Sequence, residues 1–116
     1  MDIEAVVARR LAAYTGVPAF PDVPAKDDAP DEFLTVEQTG GGGTYMDAVR
    51  LDVDCWALPN QRKRAQAIAG QVRAAVPDLD EEPNVFHPEA EGCYRMNDPD
   101  TGRARYVVGV SLWVCE

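Results

Sequence analysis

TYMDAVRLDVDCWALPNQRKRAQAIAGQVRAAV, residues 44–76, changes its hydrophobic period part-way along. Val49, Leu51, Val53, Cys55 and Ala57 alternate with Arg50, Asp52, Asp54 and Trp56, the period of two expected of a strand with one buried face. From Ala65 the period lengthens. Ala65, Ile68, Ala69, Val72 and Val76 recur at steps of three and four, which places them on one stripe of a helix. Leu58, Pro59 and Asn60 form the corner, with either Pro59 as the first helical residue or Asn60 as the N-cap. A long strand, 45–57, therefore runs straight into a helix able to fold back over the strand's apolar face.

The flanking segments extend this unit in both directions. Upstream, 2–14 places Ile3, Val7, Leu11 and Tyr14 on one helical stripe with Val6 beside it, opens with acids where the helix dipole favours them, and stops at Gly16 in a left-handed C-cap. Four prolines in GVPAFPDVPAKDDAP limit 17–30 to an extended arm or an edge strand over 19–23, and make 26–31 a solvated acidic loop. EFLTVEQT, 32–39, alternates as a strand. It leads to four consecutive glycines, Gly40 to Gly43, whose ordering carries a high entropy cost. At about 3.3 Å per residue the long strand spans about 40 Å, more than its partner, so the hairpin is expected to project from the domain body with a mobile tip.

Downstream, Pro77 ends the helical pattern and 78–83 reads as an acidic connector. A strand over 84–96 is interrupted near Pro88 and Gly92, where bulges are expected. NDPDTG, 97–102, is a strong turn signal. The strand 103–116 follows, with Tyr106, Val108, Val110, Leu112 and Val114 on its apolar face. The expected fold is a single α+β domain over 1–116: a mostly antiparallel mixed sheet with two helices packed on one face and a projecting Gly-rich hairpin.

Composition bounds the function. The chain of 116 residues is 46% hydrophobic and 27% charged, the profile of a globular domain. Twenty acids against eleven bases give a net charge of −9, which argues against a protein that works by gripping phosphates. No apolar run is long enough for a membrane-spanning helix, and the acidic opening MDIEAVVARR lacks a signal-peptide layout, so a cytoplasmic location is expected. Cys55, Cys93 and Cys115 have no CxxC spacing and read as reduced thiols in strands; with His87 they would be the only soft metal-ligand set. His87 stands between Phe86 and Pro88 with no nucleophile elbow, and the glycine run lacks the Lys and Ser or Thr of a phosphate loop. The residues thus offer no catalytic, cofactor or metal site, and an enzyme is not expected. Arg62, Lys63 and Arg64 oppose the dipole at a helix start, for which plain solvated side chains are the first reading and an acidic partner, in the fold or on a neighbouring subunit, the second.

The leading helix, the proline-broken VPAFPDVP, the strand ending in a Gly-rich loop, VRLDVDCWA followed by RAQAIAGQVRAAV, and the close through DPDTGRARYVVGVSLWV together resemble the tail terminator, or tail completion, proteins of long-tailed phages and prophages. The resemblance lies in layout over nearly the whole chain, and Trp56, Trp113, Pro59 and the cysteines depart from it. It implies a structural protein, not an enzyme and without a cofactor, that assembles in the host cytoplasm as a homo-oligomeric ring, typically of six. The ring caps the tail tube protein, joins it to the head connector protein, and lets double-stranded DNA pass without tight binding. On that reading Gly40, Gly41, Gly42, Gly43, Thr44 and Tyr45 are candidates for contact with the tube. Arg50, Asp52 and Asp54, on the outward face of the long strand, are candidates for the channel or the subunit interface. Two alternatives are another neck or head-closure ring protein and a stand-alone regulatory domain that binds a small molecule. A DNA-binding role would fall to Arg62, Lys63, Arg64, Arg103 and Arg105.

Overall fold

The structure is a computed structural model that describes residues 1–41 and 46–115. Helix α1 (Ile3–Thr15) is followed by strands β1 (Ala19–Phe20), β2 (Phe33–Gly40) and β3 (Met46–Pro59), helix α2 (Arg62–Ala75), a 3₁₀ helix (Val76–Glu81), and strands β4 (Val85–Arg95) and β5 (Arg103–Cys115). The five strands form one sheet in the order β1-β2-β3-β5-β4. Only β1 and β2 pair in parallel; the other three pairings are antiparallel. The fold is α+β, as the sequence predicts.

Each helix folds where its stripe directs. Asp2 caps α1 by accepting from the Ala5 N–H at 3.1 Å, and Gly16 closes it at φ 72°. Ile3, Val7 and Leu11 are buried. Tyr14 is not: it is 44% exposed at the last turn, its hydroxyl within reach of Asp78, so the phenol keeps its polar tip in water. From α2, Ile68, Ala69, Val72 and Ala75 enter the same core as Leu34, Val36, Leu51, Val53, Cys55, Val108 and Val110 from the sheet. Removing a side chain the size of Ile68 or Leu51 from water is worth about 1.5–3 kcal/mol, so this one layer holds helices and sheet together.

Four expectations need correction. The corner after β3 uses neither proposed start for α2: Pro59 ends the strand, Asn60 turns the chain at φ 65°, and Gln61 is the N-cap without a side-chain cap bond. Asn tolerates the left-handed region, which makes it a turn residue here in place of a cap. The acidic connector is instead the 3₁₀ helix, because Val76 and Leu79, three apart, are both buried and pull that turn inward. Its acids are used, since Arg10 of α1 pairs with Glu81 at 3.3 Å and Glu82 at 3.0 Å. The edge strand stops at Phe20, before Pro21. Finally, β3 is the central strand and pairs with β5 from Met46 (opposite Cys115) to Pro59 (opposite Arg103), so its described length does not project alone. The expected bulges are present in β4, between Phe86 and Glu89 and between Ala90 and Cys93, with His87 at φ 53° in the first.

Candidate assembly surface on the open face of the sheet

Both helices lie on the side of the sheet reached by Leu34, Val53 and Val110. The strand register carries Thr35, Asp54 and Val107 across the opposite side, and likewise Glu37, Asp52 and Gly109. Among the described residues no helix covers that face. At its β1 end it is roofed by its own side chains. Trp56 is 3% exposed, stacks on Phe33 at 5.5 Å, and lies under the Arg105 guanidinium at 4.7 Å. Phe33 in turn meets Phe20 edge-on and Arg103 from above, and Arg103 donates to the Pro30 and Asp31 carbonyls. These rings and guanidinium planes close what the alternation of β3 alone assigns to solvent.

Of the candidates on that face, Asp54 is the most constrained. Trp56 Nε1 donates to Thr35 Oγ1 at 3.0 Å, Thr35 Oγ1 donates to Asp54 Oδ2 at 3.4 Å, and Arg105 Nη1 lies 3.7 Å from the same carboxylate. Burial nevertheless holds the Asp54 carboxyl above its usual range, because the loose Arg105 pair does not offset lost hydration and Asp52 adds like charge. Thus Asp54 lies on the outward face, as its alternation predicts, but within a half-buried polar chain. Arg50 is exposed and pairs with Glu91 of β4, and Asp52 sits between them and Asp54. Among the described residues Asp52, Glu37 and Glu89 have no ion-pair partner. The structure therefore places Arg50, Asp52 and Asp54 together on one face.

Towards the β4 edge the face becomes apolar and open. Trp113 is 43% exposed, and Phe86, directly opposite it, 44%. Tyr94, at the far end of β4 opposite Val107, and Met96, just past the strand, are both about half-exposed. Trp113, His87, Glu89, Glu91 and Arg50 line a shallow groove there. The sequence does not single out Phe86, Tyr94 or Trp113 as surface groups; for Trp113 the one signal is its place in β5 on the side away from Leu112 and Val114. The bulges and Pro88 guard the free edge of β4 against strand addition. On the other side Glu4 accepts from the Gln38 N–H at 2.6 Å and occupies the edge of β2 beyond β1.

The glycine-run candidates divide. Gly40 ends β2 opposite Arg50, and Gly41 has φ 86°. A Cβ on Gly41 would fall 2.0 Å from the Ala48 carbonyl oxygen, so the backbone admits only glycine there. Gly42, Gly43, Thr44 and Tyr45 lie outside the described residues, as does Glu116.

The basic residues named for DNA do not converge. Arg64 forms a two-pronged bond with Glu32 at 2.8 and 2.9 Å, which lowers the Glu32 carboxyl and supplies an acidic partner at the helix start. Arg103 and Arg105 are spent on the roof over Phe33 and Trp56. Arg62 and Lys63 stand exposed on α2 with no ion-pair partner among the described residues. Cys55 is buried, and Cys93 and Cys115 partly so; burial pushes the Cys55 thiol far up, which keeps it protonated. Among the described residues no group of three or more His, Cys, Asp or Glu could hold a metal ion, and no helix is long and apolar enough to cross a membrane. In comparison with known proteins, no family model and no curated protein matches the chain.

Proposed function

We propose that this chain is a structural subunit that assembles with copies of itself into a ring capping a phage tail tube. The ring joins the tube to the head connector, and double-stranded DNA passes through it. The observation that carries this reading is the uncovered sheet face, where Trp113 and Phe86 at one end of the β4–β5 pair and Tyr94 and Met96 at the other leave large apolar side chains in water. Exposed aromatic side chains set among polar groups are what association surfaces offer. The layout of the sequence, from the leading helix to the closing strand, supports the choice of a tail terminator among ring-forming proteins. Light scattering behind size exclusion, with negative-stain microscopy of the concentrated protein, tests it: closed rings that bind the ends of purified tail tubes are expected. A monomer at every concentration that ignores tube ends would refute it.

One observation favours a second reading, a regulatory small-molecule-binding domain. A groove of about 380 Å³ runs between α1 and β1, lined by Ala5, Ala8, Ala12, Phe20, Pro21 and Val36. A ligand-dependent rise in Tm of a stable monomer, lost in Ala8→Trp, would select that reading.

A further inference from the structure

The outer face of α2 has properties that the single subunit does not explain. The helix carries Arg62, Lys63, Arg64 and Arg73 and no acid, in a chain of net charge −9. Arg64 is satisfied by Glu32, whereas Arg62, Lys63 and Arg73 are exposed without an ion-pair partner among the described residues. Two of them sit at the helix start, where the dipole repels cations. Ala67, Gly70 and Ala74 form the crest between these bases. A Cβ on Gly70 would meet nothing within 4 Å, so no packing in the subunit requires glycine, although glycine weakens a helix interior. A flat crest of small residues with a basic rim suits the close approach of another surface that is acidic.

Such a surface lies on the opposite side of the same molecule. The open sheet face carries Asp52, Glu37 and Glu89 without ion-pair partners among the described residues, and Glu89 lines one groove with the exposed ring of Trp113. Carboxylates next to an indole face are a fitting receptor for Arg and Lys side chains. We infer that the outer face of α2 in one copy docks on the open sheet face of the next. This rests on the self-assembly reading above and assigns its two surfaces. Because one patch is on the helix layer and the other on the bare face of the sheet, the contact is head-to-tail, the type that builds rings when it closes.

The test uses two full-length variants, Arg62→Glu/Lys63→Glu on the helix and Asp52→Lys/Glu89→Lys on the sheet, measured by light scattering at low salt. Each alone should stay monomeric at concentrations on the order of tenfold or more above those at which the unchanged protein assembles, since like charges then face each other. Mixed in equal amounts they should recover oligomers of the original size, because each reversed patch meets its complement. The helix variant should melt no lower than the unchanged protein, acids being favoured at a helix start, which separates lost assembly from lost folding. Unimpaired assembly of either variant alone, or no recovery on mixing, overturns the assigned surfaces while leaving ring formation intact. An unchanged protein that never leaves the monomer overturns both. Loss of binding to duplex DNA in the helix variant, with assembly retained, would make nucleic acid the occupant of α2 and also overturn the inference.

Discussion

Asp54 shows how far one side chain can be read from one strand. The alternation of β3 puts it on the face away from the helices, which is where it is, but its surroundings come from Thr35, Arg105 and Asp52 on three strands. Its charged form is disfavoured by burial, and this has a defined consequence for pH. With its carboxyl held above the unfolded-chain value, Asp54 binds a proton more readily in the folded state. Its contribution to stability is therefore fully present below the unfolded value and is lost as pH rises through the raised folded one. Asp54→Asn keeps an oxygen to accept from Thr35 and removes the charge. Its Tm should exceed that of the parent at pH 7, and the difference should shrink to nothing below about pH 3.8. A gap independent of pH would mean that the charge is not the cause. Glu32 has the opposite sign: lowered first by its bonds to Arg64, it stabilises above its unfolded value and loses that contribution as pH falls. Trp56 marks the limit of reading by residue. Its burial depends on Phe33, which its own stretch of sequence does not contain.

At the scale of elements, α2 was legible because its stripe has the helical period and its Ile68 enters the core that holds Val53. Ile68→Ala should lower unfolding free energy by about 2–5 kcal/mol, the cost of a core cavity. Arg64→Ala should cost far less, since its pair with Glu32 is largely exposed. Equal losses in urea titrations would mean that the helix packs by another face. The start of α2 was less legible, because Pro59 and Asn60 are both reasonable cap residues and only the exit angle of β3 decides that Asn60 turns. The 3₁₀ helix was hidden for a related reason: its acids dominate the pattern, and the pair Val76 and Leu79 is too short a period to stand out. Gly41 offers a check on the β2–β3 connection. Gly41→Ala forces a Cβ into the Ala48 carbonyl and a side chain into positive φ, so it should lower Tm by several degrees, whereas Gly70→Ala should raise it. Comparable shifts for the two would show that position 41 tolerates a side chain.

For the molecule as a whole, the question is what the charge distribution permits when duplex DNA is near. Strand order could not be read from periodicity, so it was not evident that Arg103 and Arg105 would lie on the sheet face opposite the helix that carries Arg62 and Lys63. That separation matters, because phosphate binding gains from bases that converge, each contact releasing counterions and steepening the salt dependence. Here Arg64 is held by Glu32, Arg103 and Arg105 are held by carbonyls and rings, and among the described residues α2 keeps two cations without ion-pair partners at its start, with Arg73 a third in its last turn. Docking of α2 on a neighbouring copy would cover those two as well. The open face adds Asp52, Glu37 and Glu89, which repel the backbone of DNA. Duplex DNA titrated into the protein at low salt should therefore give no tight complex. Any weak binding should lose affinity with salt at a log–log slope no steeper than about −3, the value for three phosphate contacts. A slope near −4 or steeper would require four or five phosphate contacts, more than the exposed bases of α2 supply. It would replace passage without adhesion by a protein that grips the DNA it surrounds.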